Sequence, residues 1–106
     1  MAGALIHDNG SGGVLVTAGG TLNMATFTPT DINVIRDNSN HGLFIGETSS
    51  ATFAGINDTI IDNSGWGIAC EVGSNYNPSD LNPGGKGPGP DNVSGNGEGQ
   101  IQLTCD

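Results

Sequence analysis

The apolar residues of this chain fall into short alternating triplets separated by polar corners, and the triplets recur in register. Four segments align: Ile6-His7-Asp8-Asn9-Gly10-Ser11-Gly12-Gly13-Val14-Leu15-Val16, then Ile35 to Ile45, Ile60 to Cys70, and Val93 to Leu103. Each opens on a β-branched residue and reaches an Asn three positions later. Gly follows four positions after the Asn, and then comes an apolar-x-apolar triplet. Asp precedes the Asn at Asp8, Asp37 and Asp62, whereas the fourth copy has Gly95 there and Gln100 where the others have Gly. The Asn residues are 29, 25 and 33 positions apart. A second alternation follows in two copies, as Leu22-Asn23-Met24 and Ala51-Thr52-Phe53. Each repeat therefore predicts three short strands joined by turns. No stretch keeps a helical period over three turns, and Gly and Asn are too dense for one.

Three short strands in every repeat describe a coil that stacks on its copy. Each strand then pairs in parallel with its equivalent one coil on, ~4.8 Å away. Alternation sends Val14, Leu43, Ile68 and Ile101 inward as one column and Val16, Ile45, Cys70 and Leu103 as the next. Ile6, Ile35, Ile60 and Val93 form a third column on another sheet, and Met24 stacks on Phe53. The prediction is an all-β chain, a short parallel β-helix of about four coils, forming a single domain over residues 1–106. An antiparallel β-sandwich would explain the strands but not the aligned Asn column. Residues 74–91 interrupt the pattern: they hold the only lysine, Lys86, and read as an exposed Gly/Pro-rich loop.

The Asn-x-x-x-Gly-apolar-x-apolar pattern at Asn9, Asn38 and Asn63, weaker at Asn96, resembles the right-handed parallel β-helix repeat family, the pectate-lyase-like superfamily. The resemblance covers nearly the whole chain apart from about residues 74–91. It implies a right-handed, single-stranded coil. It also implies one of several roles, because that superfamily includes polysaccharide lyases, glycoside hydrolases, epimerases, phage tailspikes and adhesins. Its lyases use Asp-bound calcium with an Arg or Lys base. Only Arg36 and Lys86 exist in this chain, so no catalytic residue of the family carries over.

Composition narrows the function further. Gly is 19 of 106 residues and the formal net charge is −9, with two Lys or Arg against 11 Asp or Glu. That excludes a basic groove for nucleic acid and a polybasic membrane patch. No apolar run approaches the ~20 residues of a membrane span. The first residues carry no targeting signal. An extracellular or cell-surface setting is expected if the chain belongs to a longer one. Cys70 and Cys105 could pair as a disulfide in an oxidising compartment or pack as buried thiols.

The outward positions of the sheet after the Asn corner are Leu15, Phe44, Ala69 and Gln102, none of them an acid, base or nucleophile. The expectation is a non-catalytic structural or carbohydrate-binding module of a surface, secreted or phage-type protein. The alternative is a fragment of a polysaccharide lyase, glycoside hydrolase or epimerase. His41 and Trp66 share one repeat position, with Phe44 on the same outer face. Together they suggest an aromatic strip for a sugar ring or a subunit interface, with Glu47 and Glu71 to accept hydroxyl hydrogen bonds. Packing of Trp66 over the corner, covering Gly42 or Gly67, is the plainer reading. Asp8, Asp37 and Asp62 would stack ~5 Å apart, and like charges that close call for a cation, calcium being the natural candidate. Their plainer role is to bond their own corner backbone. Asn9, Asn38, Asn63 and Asn96 read as a structural ladder. No cofactor is required. Four coils leave two open ends, so the expected partners are a second copy, by end-to-end or side-by-side association, or adjoining coils of a longer chain.

Overall fold

The computed structural model describes residues 3–26, 33–55, 58–77 and 93–105. Among these described residues eleven short strands alternate around three parallel sheets. The first sheet contains β1 (Leu5–His7), β4 (Val34–Arg36), β7 (Thr59–Ile61) and β10 (Val93–Ser94). The second contains β2 (Val14–Val16), β5 (Leu43–Ile45), β8 (Trp66–Cys70) and β11 (Gly99–Ile101). The third contains β3 (Thr21–Thr26), β6 (Ser50–Gly55) and β9 (Asn75–Asn77). Every pairing is parallel and joins strands three apart in chain order, as in a short parallel β-helix. Such strands need β-branched or aliphatic residues at inward positions and turn residues at each corner, which is how the repeat is written.

The register follows the repeat. Ile6, Ile35, Ile60 and Val93 face one another in turn. So do Val14, Leu43, Ile68 and Ile101, and Met24 with Phe53. Ile35, Leu43, Ile45, Phe53, Ile60 and Ile68 are wholly buried, so the core runs down the axis of the coil. Phe53 meets Tyr76 edge-on with ring centroids 5.5 Å apart.

One column ends differently from the expectation. Leu103 does not join Val16, Ile45 and Cys70. It is 82% exposed, because the chain tightens into a 3-10 turn over Leu103–Cys105. The Cys105 amide donates to the Gln102 carbonyl at 2.9 Å, and Cys105 takes the core position instead, bonded to Cys70 as a disulfide. The third sheet persists into the third coil. Asn75–Asn77 is a strand paired with β6, so the segment expected as a loop from residue 74 is ordered into the sheet at its start. Residues 78–91 lie outside the described residues.

Candidate functional site

The corner between the first and second sheets builds the site. Asp8, Asp37 and Asp62 adopt φ of 57°, 55° and 57°, and Gly95 completes the row at 67°. The corner demands a left-handed residue, which Asp tolerates and Gly adopts freely. This explains why Gly replaces Asp in the fourth copy. Two of the carboxylates pair with the preceding side chain. Asp8 Oδ2 lies 2.6 Å from His7 Nδ1, Asp37 pairs with the Arg36 guanidinium, and the Asp62 carboxylate lies over Gly95. Among the described residues no three His, Cys, Asp or Glu side chains converge as a metal site would require. The expected calcium ligands Asp8, Asp37 and Asp62 belong to no such cluster: Asp8 and Asp37 lie against His7 and Arg36, and Asp62 lies against Gly95 of the next coil.

The next position carries the ladder. Asn9 donates from its backbone N–H and from Nδ2 to Asn38 Oδ1, at 3.1 and 3.0 Å. Asn38 repeats both bonds to Asn63 Oδ1 and Asn63 repeats them to Asn96 Oδ1, at 2.8–3.1 Å. Asn38, Asn63 and Asn96 are buried. Glycine four residues after Asn9, Asn38 and Asn63 leaves room for this stacking. A Cβ on Gly42 would sit 2.7 Å from both Asn63 Nδ2 and Ile60 Cγ2.

Three residues after the Asn stand Gly12, His41, Trp66 and Gly99. The two large rings occupy the central coils and diverge. The Trp66 amide donates to His41 Nδ1 at 2.9 Å, so Nδ1 is an acceptor and the neutral ring carries its proton on Nε2. The His41 ring stacks with Phe44, centroids 6.2 Å apart and planes 17° from parallel. The Trp66 ring instead covers Gly99, where a Cβ would clash with Cζ3. Trp66 thus packs over a corner glycine, Gly99 of the fourth coil. The three-ring strip reduces to His41 and Phe44.

Those two rings help line an open cleft of about 380 Å³ together with Ser11, Val14, Leu15 and Asn40. Leu15 is 69% exposed. Ala69, the next outward position, is 1% exposed. It pairs with Phe44 on one side, and on the other the Gln102 side chain accepts from the Cys70 amide at 3.0 Å. Glu47 and Glu71 do not line the cleft. They stack at the opposite corner, where Glu71 Oε1 accepts from the Glu47 amide at 3.1 Å.

Two features escaped the sequence reading. Asn33 and Asp58 form a second polar stack at another corner: the Ala4 amide donates to Asn33 Oδ1 and Asn33 Nδ2 donates to Asp58 Oδ1, both at 2.9 Å. Their equivalent positions directly before β4 and β7 were the available signal. Burial, only partly countered by the Asn33 bond, raises the Asp58 pKa. The second feature is Gln100, whose side chain ends the asparagine ladder.

No protein-family model, curated protein or solved structure matches the chain. Among the described residues no helix is long and apolar enough to cross a membrane.

Proposed function

We propose that this chain is a non-catalytic β-helix module that binds carbohydrate at the His41–Phe44 cleft. The observation that carries this reading is the stacked pair in the cleft wall. A flat apolar surface beside Leu15 suits the C–H face of a sugar ring, and Ser11, Asn40 and His41 Nε2–H supply hydroxyl-bonding partners at its margin. The outward row of the same sheet adds Leu15, Phe44, Ala69 and Gln102, which cannot donate or accept a catalytic proton. The repeat's resemblance to the pectate-lyase-like superfamily supports polysaccharide as the ligand class. The Cys70–Cys105 disulfide supports work in an oxidising, extracellular setting.

The test is a panel of neutral and acidic oligosaccharides titrated against isotope-labelled protein and followed by amide shifts. Binding should move the signals of Ser11, Leu15, Asn40 and Phe44, and Phe44→Ala should weaken it at least tenfold. No shift with any sugar would remove the carbohydrate reading. Depolymerisation that disappears in Asp37→Ala or Asp62→Ala would remove the non-catalytic one.

A further inference from the structure

The asparagine ladder has a direction, and its two ends are unlike. Each Asn donates from its backbone N–H and Nδ2 to the Oδ1 of the following coil. At the last coil Asn96 would donate both bonds to a fifth Asn. Gln100 stands in for it. Its Oε1 accepts from the Asn96 amide at 3.2 Å and from Asn96 Nδ2 at 2.9 Å. At the first coil Asn9 is exposed, and its Oδ1 is the acceptor that a preceding Asn would use.

Position 100 is also where the other coils require glycine. A Cβ on Gly13, Gly42 or Gly67 would lie 2.5–2.7 Å from an Ile or Val Cγ of the following coil, and at most 3.0 Å from its Asn Nδ2. A first coil docking in register on the fourth would bring Ile6 and Asn9 to the same place, against the Gln100 side chain. Gln100 therefore supplies the acceptor from within and fills the space an incoming coil would need.

In the first two sheets the ends otherwise offer matching strand edges, while the third sheet ends one coil earlier, at β9, and the fourth coil closes in the Leu103–Cys105 turn. β10 and β11 are the last strands of their sheets and β1 and β2 are the first, all running parallel. Charge does not oppose the contact strongly: residues 1–26 hold Asp8 as their one acidic residue, of 11 in the chain, and no Lys or Arg. A head-to-tail contact of this kind does not close on itself and would propagate as a fibre. We propose that Gln100 is a terminator, and that it holds shut a head-to-tail docking surface for a second copy of this chain. This stands independently of the carbohydrate reading.

Sedimentation velocity over a hundredfold range of concentration tests it. Gln100→Gly removes the plug and recreates the glycine of the other coils. Its weight-average mass should climb at least fourfold with concentration, and electron microscopy should show elongated particles. Adding Asn9→Ala should reverse the climb. Gln100→Leu, which loses the acceptor but keeps the bulk, should show the wild-type mass at every concentration. A folded Gln100→Gly chain that keeps the wild-type mass overturns the proposal. So does a wild-type chain whose mass climbs and falls back on Asn9→Ala. Should Gln100→Gly melt too low to be sedimented, added wild-type chain must raise its Tm through the Asn9 acceptor, and no rise overturns the proposal.

Discussion

Asn33 Nδ2 donates to Asp58 Oδ1 at 2.9 Å across two successive coils, and both residues are fully buried. Desolvation raises the Asp58 pKa above 3.8, against the lowering effect of the Asn33 bond. A carboxyl with a raised folded-state pKa binds its proton more tightly when folded. Its contribution to stability is complete below 3.8 and is lost as pH rises through the folded value. Asp58→Asn keeps an Oδ1 acceptor for Asn33 and never ionises. The variant should therefore gain stability over wild type at pH 7, and the gain should shrink as pH falls toward 3.8. Urea melts of both proteins at several pH values check this, and a gain that grows on acidification would contradict it.

The glycines of the repeat are not equivalent. Gly42 faces Asn63, Ile60 and the Gly67 carbonyl, all within 2.9 Å of a Cβ, whereas nothing lies within 4 Å of one on Gly10. Gly42→Ala should destabilise by about 1–3 kcal/mol through overpacking. Gly10→Ala should stay within about 0.5 kcal/mol of wild type. Equal costs in denaturant melts would mean that close stacking is not what selects glycine.

Thr48 is a β-branched residue at φ 62°, in the turn position that Gly19 and Gly73 occupy in the neighbouring coils. Left-handed backbone costs an L-residue roughly 1–2 kcal/mol, of which the greater unfolded-state freedom of glycine returns about 0.5–1 kcal/mol. Thr48→Gly should stabilise by roughly 0.5 kcal/mol, even though it gives up the 2.6 Å bond from Thr48 Oγ1 to the Glu47 carbonyl. A lower denaturation midpoint would show that this bond outweighs the strain.

The Cys70–Cys105 disulfide closes a span of 35 residues. On chain entropy alone, reduction should cost about 3–4 kcal/mol. Hydrogen exchange should then rise first at the Cys105 amide, whose bond to Gln102 closes the final turn. Exchange that rises evenly along the chain would instead mean that the disulfide supports the whole stack.

The repeat by itself determined the fold, its sheet register and most of its core. The columns of Ile6, Ile35, Ile60 and Val93 and the ladder of Asn9, Asn38, Asn63 and Asn96 follow from spacing, because each coil meets its own pattern one coil on. Tertiary structure decided what happens where that symmetry fails. Gln100 turns back onto Asn96 because no fifth Asn stacks there, and Cys105 displaces Leu103 because the chain tightens into a 3-10 turn and bonds to Cys70. His41 and Trp66 share a repeat position, yet one ring stacks on Phe44 and the other covers Gly99. Asp8, Asp37 and Asp62 share another, yet each is used within or beside its own corner. Backbone register is set by spacing, and side-chain direction by the free space each neighbour leaves. The cleft therefore became visible only in three dimensions.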